Sequence, residues 1–148
     1  MISLPGSAPI IAGRRTSSTS ATSVVFEIIP ATNTPIWIKS LRVVLADTSA
    51  TILSGGYPGA IGVTPTTPVA FRNMNNGNAA VTTHARAWGT PPTIPASAFF
   101  QFNLPGVLGS TQFLDFGNGI YVPANKTFVL YSNGATTGLL DLTVTAQE

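Results

Sequence analysis

Glycine and proline constrain this chain more than any other feature: 14 glycines and 12 prolines are spread through 148 residues. Each proline removes a backbone donor and each glycine weakens a helix interior, and no window carries apolar residues at i, i+3, i+4 and i+7. What lies between the breaks is strand material. SVVFEII (23–29), PIWIKSLRVVLAD (35–47), VAFRNM (69–74), AAVTTHARAW (79–88), AFFQFNL (98–104), TQFLDF (111–116), GIYV (119–122), KTFVLYS (126–132) and GLLDLTVTA (138–146) are β-branched or aromatic runs bounded by Gly, Pro and Asn. Their spacing predicts an all-β protein, an antiparallel β-sandwich or barrel.

The last run alternates cleanly. Leu140, Leu142, Val144 and Ala146 share one parity and Asp141, Thr143 and Thr145 the other, so one face is core and one is wet. In PIWIKSLRVVLAD, Lys39 and Arg42 fall on opposite parities with apolar neighbours on both. Either a bulge intervenes or both faces are covered, and a covered second face calls for a partner. NNGN (75–78) and SNGAT (132–136) carry the Asn-Gly pair of a tight hairpin turn. Residues 53–68, LSGGYPGAIGVTPTTP, read as one long loop that binds or bridges.

The expected organisation is an N-terminal arm over residues 1–20 and a single sandwich domain over 21–148. The arm is apolar at Ile2, Leu4, Ile10 and Ile11 before turning polar in TSSTS. Such an arm is expected to lie on a neighbouring subunit.

Charge excludes several functions. Charged residues make up 8% of the chain, against roughly 25% in an average soluble domain, and its surface relies on hydroxyls and amides, which suits lasting contact with neighbours. Seven Lys and Arg against five acids leave a net charge of +2, too little for a nucleic-acid footprint. Mean hydropathy is +0.32, yet no run approaches the roughly 18 to 20 apolar residues of a spanning helix. The doublet Arg14-Arg15 is followed by a polar run, unlike a twin-arginine signal, and MISLPGSAPIIAGRR lacks the order of a secretory leader. The expectation is use without signal-peptide export.

No catalytic motif stands out. The single histidine, His84, shares strand parity with Arg86 and Trp88, but no GxSxG elbow surrounds any serine and no acid lies between Asp47 and Asp115. Five acids permit a glycosidase-type pair only across space. With one His and no Cys, no ligand set stands at a recognised metal spacing, and SGGYPG and DFGNGI lack the lysine and helix of a phosphate cradle. No catalytic residue, metal or cofactor is expected. NKT (125–127) reads as the turn before a strand. For His84, Arg86 and Trp88 two readings stay open: a binding face rich in hot-spot residue types, or a Trp88 that caps the sandwich end while His84 and Arg86 face water.

PVAFRNMNNGNAAVTTHARAW (68–88) and GNGIYVPANKTFVLYSNGATTGLLDLTVTA (117–146) resemble the small all-β virion proteins of tailed bacteriophages. Those chains combine a P-V-x-x-x-N-x-N-x-G hairpin, a V-P-A-x-K strand entry and a Thr-rich final strand. The resemblance implies a jelly-roll or related β-sandwich fold and a non-enzymatic structural protein, a capsid cement or decoration subunit assembled in the host bacterial cytoplasm. It further implies a homo-oligomer, a trimer by preference, contacting other virion proteins such as a major capsid protein, without specific nucleic acid or membrane. The assembly contacts expected are Ile2, Leu4, Ile10, Ile11, Arg14, Arg15, His84, Arg86 and Trp88. The alternative is a fibre-tip or lectin-like module that stacks carbohydrate on Trp88, Tyr57 or Tyr121.

Overall fold

A computed structural model describes residues 9–17, 22–134 and 138–148. It contains twelve strands: β1 (Pro9–Ser17), β2 (Thr22–Ile29), β3 (Ile36–Leu45), β4 (Thr51–Gly56), β5 (Val63–Pro65), β6 (Val69–Asn73), β7 (Ala79–Ala85), β8 (Trp88–Thr90), β9 (Phe100–Leu104), β10 (Thr111–Val122), β11 (Phe128–Asn133) and β12 (Leu139–Gln147). Ten of them form one antiparallel sheet in the order β10-β3-β12-β1-β6-β7-β2-β11-β4-β9, and β5 pairs with β8.

The pairings are nested. β1 lies beside β12, β2 beside β11, β3 beside β10 and β4 beside β9, the pattern of one long hairpin rolled up on itself. That nesting is jelly-roll topology, an instance of the antiparallel sandwich expected from strand spacing. The β6–β7 hairpin is inserted between β1 and β2 and joins the two halves, while the free edges β9 and β10 approach each other and nearly close the sheet. Side chains from both halves, including Ile10, Phe26, Ile38, Leu53, Phe71, Phe128 and Leu142, merge into one buried core.

β3 resolves its parity conflict with a bulge. Ser40 faces Thr145 and Ile38 faces Ala146, so Lys39 is skipped, and its Nζ donates to the Asn118 carbonyl at 2.7 Å. Burial accordingly switches from Ile36 and Ile38 to Leu41, Val43 and Leu45. The NNGN turn forms as read, with Gly77 at φ +73° and Asn73 exchanging backbone bonds with Gly77 and Asn78. SNGAT is not a hairpin between its flanking strands: β11 pairs with β2 and β4, and β12 with β1 and β3. Ala135 and Thr136 lie outside the described residues.

The arm assignment is corrected over residues 9–17. This stretch is β1, paired with β12 from Pro9↔Gln147 to Ser17↔Leu139. Ile10 is fully buried in its own chain's core and Ile11 is half-buried, because alternate positions here face the core as in any half-buried strand. Ile10 is therefore not free to contact another chain. Ile2 and Leu4 lie outside the described residues.

The long loop of residues 53–68 is likewise partly strand. Leu53 to Gly56 complete β4, and Val63–Pro65 forms β5 against β8. This small ladder roofs the outer face of the β2 half, where Val24, Val129 and Tyr131 pack with Trp88 and Ile94. The second covered face belongs to β2, and the chain covers it itself.

Candidate functional site

His84, Arg86 and Trp88 do not share a face, because β7 ends at Ala85 and the chain bends at Arg86 before β8 begins at Trp88. His84 is buried. Its ring stacks on Phe26 with centroids 4.9 Å apart and meets Phe71 edge-on at 5.5 Å. Arg14 Nη1 donates to its Nδ1 at 3.4 Å. Burial first, and the Arg14 charge second, push the imidazole pKa down to about 4. Its polar neighbour is thus a cation that opposes its protonation, where a general base needs an acid that favours it.

Arg86 is exposed and donates from Nη1 to the Arg15 carbonyl at 3.0 Å. Arg15 itself forms a two-pronged pair with Asp141, at 2.8 and 3.1 Å, on the wet face of β1 and β12. The structure therefore brings Arg14, Arg15, His84 and Arg86 together at the junction of β1 and β7, and separates Trp88 from them.

Trp88 is held by a residue that sequence reasoning passed over. Glu27, 1% exposed, accepts from Trp88 Nε1 at 2.9 Å, from the Gly62 amide at 3.1 Å and from Thr127 Oγ1 at 2.7 Å. A Cβ on Gly62 would lie 2.3 Å from the indole, so only glycine brings that amide so near. The signal was a lone acid inside the apolar run SVVFEII, since a buried carboxylate demands several donors. Trp88 thus fastens the roof to the sheet; it does not cap the sandwich end.

The remaining feature lies where β9 and β10 nearly meet. A cleft of about 550 Å³ opens there, lined by Tyr57, Phe99, Phe100, Leu114, Phe116, Ile120 and Tyr121, with Asp115 as its carboxylate. Tyr57 donates to the Tyr121 carbonyl, and burial, then Tyr121, raise its phenol pKa. Trp37 packs on Tyr121 at 5.1 Å. Phe99 beside the cleft is 54% exposed, and in the β9–β10 loop and on the outer face of β10 Val107 is 63% exposed, Leu108 67% and Phe113 57%. Phe113 escaped notice because TQFLDF carries aromatic residues on both parities, which hides the face that points outward. No protein-family model matches the chain, and a search of curated proteins finds no relative.

Proposed function

We propose that the protein is a non-enzymatic structural subunit that acts by oligomeric contact, as a virion cement or decoration protein does. One observation carries the reading: large apolar side chains are exposed along the β9–β10 edge, at Phe99, Val107, Leu108, Phe113 and Tyr121. Burying the half or so of each that is still exposed contributes roughly 1 to 2 kcal/mol. The same edge also ends the hydrogen-bonded sheet, and unpaired strand edges recruit further chains. A surface with 8% charged residues adds little repulsion to oppose this. Light scattering across a dilution series tests it: the native chain holds a multimer mass, a trimer by preference, while Leu108→Ser with Phe113→Ser lowers that mass without altering the β-sheet circular dichroism. A native chain that is monomeric at every concentration rules the reading out.

A second reading has its own observation. Tyr57 and Tyr121 line one cleft beside Asp115, with Trp37 against Tyr121, an arrangement suited to stacking a sugar ring and binding its hydroxyls. Glycan binding lost on Tyr121→Ala in a monomeric protein favours this reading over the first.

A further inference from the structure

We propose that Arg14 and Arg86 form a binding site for a small oxyanion, a phosphate or carboxylate group, at the junction of β1 and β7. The inference rests on where the chain's acids are. All five are among the described residues and each is engaged elsewhere: Glu27 with Trp88, Gly62 and Thr127, Asp47 with the amides of Ser49 and Leu139, Asp115 with the Gly117 amide, Asp141 with Arg15 and Glu148 with the Thr82 amide. The sequence holds no further acidic side chain, so among the described residues neither guanidinium has a side-chain carboxylate as counter-ion.

Their placement is nonetheless fixed. Arg14 sits on the core-facing parity of β1, after Ile10 and Ala12, and reaches His84. Arg86 crosses from the end of β7 to the carbonyl of the next residue, Arg15. The charges feel one another: burial first, and Arg86 second, lower the pKa of Arg14. A half-buried and an exposed cation held near each other without an acid repel each other, and a bound oxyanion reverses that repulsion while taking forked hydrogen bonds from both. The His84 ring, locked between Phe26 and Phe71, positions Arg14 by accepting from it.

Beside Arg86 a cleft of about 390 Å³ provides hydroxyls from Thr22 and Ser23 and apolar walls from Trp88, Pro92 and Ile94. It has room for the ring of an acidic sugar whose carboxylate reaches Arg86. Inorganic phosphate and an acidic sugar are the two sources of the same chemistry.

Thermal unfolding of the full chain in sodium phosphate, and separately in sodium glucuronate, is compared with sodium chloride at equal ionic strength. At several times its Kd the bound ligand raises Tm by about 2 to 4 °C. The rise disappears in Arg86→Gln, an exposed position whose loss leaves the core intact, shrinks in Arg86→Lys, which keeps charge but not the fork, and persists in Arg42→Gln on the open face of β3. The ligand with the larger rise identifies the source. No rise with either ligand, or an equal rise in Arg86→Gln, overturns the proposal.

Discussion

The two halves of the curled sheet treat their outer faces in opposite ways. On β12, buried Leu140, Leu142, Val144 and Ala146 alternate with half-buried Asp141, Thr143 and Thr145, so the outer face meets water. On β2, the five residues Val24 to Ile28 are all buried, because the β5–β8 ladder lies over the outer face and Glu27 fastens it there. The comparison separates two uses of an apolar outer surface. Where a half is roofed, its outer sheet face is already used within the chain; exposed apolar side chains remain at the β9–β10 edge and also at Ile61 and Val63 of the roof and at Val69, Met74 and Val81 of the β6–β7 hairpin.

Removing the fastening gives the largest effect. Glu27→Ala leaves three donors without their acceptor beneath the roof and costs about 3 to 5 kcal/mol. The equivalent outward position on the open half, Thr143→Ala, changes stability by less than about 0.5 kcal/mol. Urea unfolding of both variants measures the contrast, and equal effects would break it.

Acid probes the junction of the halves. The folded chain keeps His84 neutral down to about pH 4, whereas the unfolded chain takes up that proton near pH 6.5. Between these values the unfolded state binds more protons, so stability falls as pH falls. The loss amounts to about 3 kcal/mol, complete near pH 4. Asp141, held below its ordinary pKa by Arg15, loses its contribution only at lower pH. Chemical denaturation from pH 7.5 to 4 checks this, and His84→Phe flattens the profile within the window.

Trp88→Ala loosens the roof from its own side. The indole is only half-buried, so the cost is about 2 kcal/mol, below the roughly 3 to 5 of a fully buried aromatic. Hydrogen exchange then rises in β5 and β8 while β12 keeps its protection. A smaller loss than that of Trp88 falls on the hairpin that joins the halves: Gly77→Ala meets no neighbouring atom but inherits φ +73°, costing about 1 kcal/mol in a thermal melt.

The fold was legible where one local rule decides the outcome. Alternation exposed the wet face of β12, Asn-Gly marked the β6–β7 turn, and the conflicting parities of Lys39 and Arg42 pointed to a bulge or a covered second face, of which β3 has the bulge. Strand partners were not, since SNGAT has hairpin chemistry yet connects strands that tertiary packing places in opposite halves. The same limit applied to β1: Ile10 and Ile11 gave an apolar segment, and nothing local distinguishes a strand that pairs with its own C-terminus from an arm lent to a neighbour. Of the candidate cluster, Arg14, Arg15, His84 and Arg86 do converge, but parity alone could not foresee the bend at Arg86 that sends Trp88 to Glu27. The β9–β10 edge stayed hidden because β10 carries aromatic residues on both faces.

Hydrogen exchange at two protein concentrations, above and below dissociation of the multimer, tests the central claim most directly. The account predicts that amides of residues 107–113 and of the outer edge of β10 gain protection at the higher concentration, while those of β5, β8 and β12 do not change. Protection that is independent of concentration throughout the chain, or gained at the roof and not at the β9–β10 edge, would contradict it.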